Sequence, residues 1–95
     1  MTKSLKCKEM VQKFNDSYGK NVIITCEFDF GSLDIANTDH LFVYEDGDKI
    51  VMQDDNDLSL IINKSFISSS TLSDFDAYYE KIDLDLGTDK LSFIM

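Results

Sequence analysis

Three short apolar runs, residues 41–44, 50–52 and 58–62, are separated by Asp46-Gly47 and by Asp54-Asp55-Asn56-Asp57. Apolar runs of this length bounded by turn residues predict a three-stranded antiparallel meander over residues 40–63, on which the rest of the chain is expected to pack. Asp46-Gly47 suits the positive φ angles of a type I′ turn, and Asp and Asn tolerate the geometry needed at the 53–57 tip. The last strand of the meander can run on through Asn63-Lys64-Ser65-Phe66-Ile67.

Upstream of the meander the period changes. At 100° per residue, Cys7, Met10, Val11, Phe14 and Tyr18 share one stripe, whereas Lys6, Glu9, Lys13 and Asp16 point away. This is the pattern of an amphipathic helix over 4–18, with Thr2 or Ser4 as its cap and Gly19 as its stop. From Asn21 the repeat is two: Val22, Ile24, Cys26, Phe28 and Phe30 on one face of a strand, Ile23, Thr25, Glu27 and Asp29 on the other. Residues 31–39 read as an irregular connection held down by Leu33 and Ile35, and irregular surface loops are common binding elements.

Downstream, Ser68-Ser69-Ser70-Thr71 reads as linker or cap material, and Leu72, Phe75 and Tyr79 recur at helical spacing. A short helix over 72–80 is therefore expected, with a long strand from Ala77 as the alternative. Ile82, Leu84 and Leu86 then alternate with Lys81, Asp83 and Asp85, a turn follows at 87–90, and Leu91, Phe93 and Met95 close a hairpin. The fold expected is α+β: an N-terminal amphipathic helix packed on a curled antiparallel sheet of five or six strands, the meander plus the C-terminal hairpin. A small SH3-like or Sm-like barrel is its close variant.

Length is consistent with a single domain over 1–95, since 95 residues bury about 60–65% of the unfolded surface. At 43% hydrophobic and 12% aromatic residues the chain is too apolar to be disordered. No run of about 18 apolar residues occurs, and the N-terminal lysines are not followed by an apolar stretch, so neither a membrane span nor a signal peptide is expected and the protein reads as cytoplasmic.

Charge changes the picture more. The net charge is −9, but residues 1–20 hold five lysines against two acids, and residues 21–95 hold four lysines against sixteen acids. There is no arginine, proline or tryptophan. Without the planar guanidinium fork, and with an acidic remainder that repels polyanions, direct nucleic-acid binding is not expected.

Candidate chemistry is sparse. Cys7, Cys26 and the lone His40 are too few, and lack the spacing, for a zinc site; the cysteines read as core thiols, and no metal or other cofactor is expected. His40 beside Asp39 could serve as a general base oriented by a carboxylate, but no nucleophile motif such as Gly-x-Ser-x-Gly accompanies it. The Asp54, Asp55, Asn56, Asp57 tip lacks the glycine and the terminal glutamate of an EF-hand loop.

Carboxylates are what remain. Glu27 and Asp29 share one face of a strand, Asp83 and Asp85 share one face of another, and each pair is about 7 Å apart at roughly 3.3 Å per residue. Glu45, Asp46, Asp48, Asp54, Asp55 and Asp57 continue the acids to both ends of the meander. Solubility alone accounts for polar outward positions. Like charges opposed across a sheet destabilise it, so acids that form one field are expected to be retained for a basic partner, with solubility as the plainer reading. These ten carboxylates are the expected partner-binding residues.

The leading expectation is thus a small acidic, non-enzymatic inhibitor or adaptor that engages a basic surface of another protein, one that itself binds nucleic acid. Its size and charge are of the type found in phage- or mobile-element-encoded anti-defence proteins, anti-CRISPR-like in character. Two rivals are a homo-oligomeric assembly module pairing through an edge strand such as 91–95, and a small enzyme using His40 and Asp39.

Overall fold

A computed structural model describes residues 2–95. In chain order, β1 (Thr2–Ser4) leads into α1 (Cys7–Asp16), followed by β2 (Val22–Phe28), β3 (Gly31–Thr38), β4 (Phe42–Asp46), β5 (Lys49–Gln53) and β6 (Ser59–Asn63). A single 3₁₀ turn, Lys64–Phe66, precedes β7 (Ser69–Asp74), β8 (Glu80–Asp85) and β9 (Lys90–Ile94). The strands form two antiparallel sheets, one of six strands in the order β1-β7-β8-β9-β2-β3 and one of three, β4-β5-β6.

The inward residues of both sheets and of α1 form one buried cluster. Ile24, Ile82, Leu84 and Phe93 come from the large sheet, Val43, Ile50 and Met52 from the small one, and Met10 and Phe14 from the helix. Phe14 meets Phe93 edge to face at 4.9 Å. At its start α1 is capped by Lys6, whose backbone N–H donates to the Glu9 carboxylate at 2.9 Å, and not by Thr2 or Ser4, which belong to β1.

The α+β arrangement expected from the sequence is not what forms. The protein is mostly β, nine strands in two sheets with one ten-residue helix among the described residues. No barrel closes either, because β1 and β3 stand at opposite edges of the six-stranded sheet. Besides Thr2–Ser4, which form β1, three misread segments account for the difference. Residues 31–39, expected as a loop, supply edge strand β3, in which pairing passes from Ile24↔Ala36 to Thr25↔Asp34 and leaves Ile35 as the extra residue. Such a bulge breaks the two-residue alternation, so Ile35 and Ala36 both pack against the core and no strand period shows in the sequence.

The serine run, expected as linker or cap material, opens β7, where pairing to Leu84 and Ile82 of β8 supplies the structure that its own small side chains do not signal. The expected helix over 72–80 is absent. The Asp76 carboxylate accepts the N–H groups of Tyr78 and Tyr79 at 2.8 and 2.9 Å, forming a turn that joins β7 to β8. Segment 91–95, expected as a free edge, is likewise not one: β9 lies between β8 and β2.

The β4–β5 turn also departs from expectation. Asp46 pairs with Lys49, and only Gly47, at φ 60°, has positive φ, which is the pattern of a type II′ turn with glycine first and not of type I′.

Ser70, on the inward face of β7, carries a buried hydroxyl with no hydrogen-bond partner among the described residues. An unpaired buried hydroxyl costs about 1–3 kcal/mol of desolvation. Ser70→Ala is therefore expected to leave stability unchanged or raise it by up to about 1 kcal/mol, measured by urea unfolding. A loss of more than about 1 kcal/mol would show that the hydroxyl is satisfied.

Candidate functional site

The acidic residues do not form one continuous field; the fold sorts them into neutralised and open groups. The most open group lies where the β2–β3 and β8–β9 hairpins end side by side, a consequence of β9 pairing with β2. Register places Glu27 opposite Lys90, and Lys90 opposite Asp85, so the signs alternate across three strands. Lys90 Nζ lies 3.3 Å from Glu27 Oε2. The Asp85 carboxylate accepts the Gly87 N–H at 2.8 Å and so shapes the β8–β9 turn.

Beyond this row, Asp29 and Asp89 stand exposed in the two turns. A shallow depression of about 240 Å³ between the hairpins is lined by Glu27, Asp85, Asp89 and Lys90, among others. Four carboxylates thus share this end with one ammonium group. The field reaches the thiol of Cys26, whose pKa is raised first by burial and then by Asp89 and Glu27.

Asp83 is a different case. It accepts a hydrogen bond from the Ser92 hydroxyl at 2.7 Å and lies 3.5 Å from Lys81 Nζ, with only 17% of its side chain exposed. Its cross-strand neighbours are Thr71 and Ser92, those of Asp85 are Ser69 and Lys90, and those of Glu27 are Ser32 and Lys90. No two of these three acids oppose each other directly; the directly opposed acids of the large sheet are Asp74 and Glu80, of which Glu80 is held by Lys13 at 2.8 Å.

Glu45 is also neutralised. At the start of α1 its carboxylate lies 2.9 Å from Lys64 Nζ and accepts the Cys7 thiol hydrogen at 3.4 Å. The ammonium of Lys64 and the thiol hold Glu45 below its ordinary pKa, and the bond to Glu45 raises that of Lys64. Burial raises the Cys7 thiol, and the neighbouring carboxylate raises it further. Replacing Glu45 by glutamine removes the negative charge, so more thiolate is present at a given pH, and alkylation of Cys7 by iodoacetamide is expected to speed up several-fold at neutral pH. An unchanged rate would mean that access, not charge, limits Cys7.

Asp46 and Asp48 flank Gly47 at the neighbouring turn. The Lys64 N–H donates to the Asp48 carbonyl at 2.8 Å, and the Ser68 N–H to the Asp85 carbonyl at 2.7 Å. Residues 64–68, which span at most about 14 Å, therefore tie the β4–β5 turn to the acidic hairpin end.

The Asp54–Asp57 tip forms a separate group. Asp54 spends its Oδ1 on the N–H groups of Asn56 and Leu58, at 2.9 and 3.2 Å, holding the turn closed. Asp55 lies 3.6 Å from His40 Nδ1, which is 2.7 Å from Asp39. The His40 and Tyr18 rings meet edge to face, and Tyr18 lies tilted against Phe42. The histidine is thus pinned between two carboxylates at a half-exposed position, and no serine or cysteine among the described residues is hydrogen-bonded to it. Asp57 is exposed.

Among the described residues no three His, Cys, Asp or Glu side chains are grouped to hold a metal ion, and both cysteines are free. No described helix is long and apolar enough to cross a membrane. Sequence reasoning missed Asp89, which joins Asp29 only through the β9–β2 pairing, and it missed the aromatic residues 75, 78 and 79 as surface groups because it assigned them to a helix. No protein-family model matches this chain, and neither does any curated protein or solved structure.

Proposed function

We propose that the protein is a non-enzymatic binding protein that presents the paired ends of the β2–β3 and β8–β9 hairpins to a basic surface of another protein in the cytoplasm. The observation that carries this reading is the charge imbalance there, with Glu27, Asp29, Asp85 and Asp89 set against Lys90 alone, which Glu27 already engages. Two further lysines of residues 21–95 are also occupied, Lys64 by Glu45 and Lys81 by Asp83. Asp29, Asp46, Asp57 and Asp89 make no ion pair within 4.0 Å among the described residues, and exposed carboxylates of one sign accelerate encounter with a cationic surface.

A basic protein surface of this kind commonly holds nucleic acid, so the protein acts as a competitor of the phage- or mobile-element anti-defence type. The test is retention of proteins from a lysate of the producing cell on the immobilised chain at low and high salt. A basic protein retained at low salt, released at high salt and blocked from its nucleic acid supports the reading. Retention that is indifferent to salt overturns it.

A further inference from the structure

The solvent-facing side of the large sheet is polar along most of its rows: Thr25 opposes Ser92, and Glu27 opposes Lys90. One row breaks the rule. Ile23 opposes Ile94 directly, both on the outer face, where an antiparallel sheet ordinarily carries polar residues; Lys81, the other cross-strand neighbour of Ile94, is held by Asp83. The β7–β8 turn adds Phe75 and Tyr79, and the four apolar side chains, with Asn21 and Asp76, line a groove of about 350 Å³. Ile23, Phe75 and Tyr79 are 39%, 52% and 49% exposed. Tyr78, on the same turn, is 89% exposed. Exposed apolar patches that are contiguous mark sites of association.

Charge decides the occupant. Asp76 is the one charged residue lining the groove, and its Oδ1 is taken by two backbone N–H groups, which leaves Oδ2 for a cation. A second copy of this chain would bring another net charge of −9 against the first and set one Asp76 near the other. We infer that this groove receives a large aliphatic side chain of a basic partner protein, flanked in that partner by lysine or arginine. The inference rests on the basic-partner reading and adds to it the apolar anchor that long-range charge attraction does not supply.

Three acetylated, amidated peptides test it by NMR titration of the ¹⁵N-labelled protein: Lys-Lys-Leu-Lys-Lys, Lys-Lys-Ser-Lys-Lys and Glu-Glu-Leu-Glu-Glu. The expected result is that the leucine–lysine peptide shifts the amide signals of Ile23, Phe75, Tyr79 and Ile94 and binds about tenfold more tightly than the serine peptide, as burial of one aliphatic side chain implies. In a Phe75→Ser/Tyr79→Ser variant that advantage disappears. Should the variant fail to fold, the leucine–serine comparison on the unaltered protein still decides.

Equal binding of both lysine peptides, with shifts confined to Asp29, Asp85 and Asp89, overturns the groove and leaves the acidic hairpin end standing. If the glutamate peptide binds as well as the lysine peptides, the basic-partner reading falls, and the groove's proposed occupant falls with it. Groove signals that shift with protein concentration alone, without peptide, assign the groove to a second copy and overturn the inference.

Discussion

Replacing Phe93 by alanine is expected to lower the free energy of unfolding by about 3–5 kcal/mol, the usual cost of removing a buried aromatic side chain. Phe93 is 0% exposed and lies on β9, a central strand of the large sheet. Its ring also meets Phe14 edge to face at 4.9 Å and 77°, a geometry worth about 0.5–1.5 kcal/mol beyond area burial. The substitution thus leaves a cavity where the sheet and the helix meet. A domain of this size has about 5–15 kcal/mol in all, so the variant loses a large fraction of its stability.

Urea unfolding followed by circular dichroism measures the loss. A change below about 1 kcal/mol would contradict the packing described. If Phe93→Ala does not fold, Phe14→Ala reports the same contact from the other side. Where the single variants fold, the double variant gives the coupling between the two rings. The surface ion pair Lys13–Glu80, at 2.8 Å, provides the contrast, because exposed pairs contribute only about 0–1 kcal/mol.

The second large effect is on association. Asp29→Lys with Asp89→Lys moves the net charge from −9 to −5, each substitution adding two positive units. Both positions are exposed turn residues, so the stability of the variant should stay within about 0.5 kcal/mol of the original. The rate of association with the retained basic partner is expected to fall by about tenfold or more at low salt, and the difference should shrink as salt screens it. Dissociation changes less, because charges at the margin of an interface act mainly on encounter. Surface plasmon resonance across a salt series measures both rates, and an association rate unchanged at low salt would remove the hairpin end from the interface. Asp83→Asn serves as the comparison: that carboxylate is held by Ser92 and Lys81, so its loss should affect folding and leave association alone.

Local pattern was readable where one face of an element is buried. The meander over 40–63 appears as β4, β5 and β6 because its short apolar runs end at turn residues, and the segment from 81 appears as the β8–β9 hairpin because Ile82, Leu84, Leu91 and Phe93 alternate with polar residues. It was not readable where partners supply the structure. β7 contributes only Leu72 as a large apolar group and is a strand because β8 and β1 pair with it. β3 hides its period behind the bulge at Ile35. The helical spacing of Leu72, Phe75 and Tyr79 was coincidental, and the bonds from Asp76 to the Tyr78 and Tyr79 amides decided the matter locally.

The same division runs through the candidate site. Composition and order alone determined the acidity of residues 21–95, the lack of arginine and the apolar alternation of the strands that build the core, since these follow from the residues present and their spacing. Only the tertiary structure decided which acids are spent and which are open. Register set Lys90 between Glu27 and Asp85, folding brought Lys64 to Glu45, and the β9–β2 pairing placed Asp89 beside Asp29's hairpin. Pairings between residues tens of positions apart leave no mark on local periodicity. An acid's partner, and so its charge as seen from outside, is settled only when the sheets assemble.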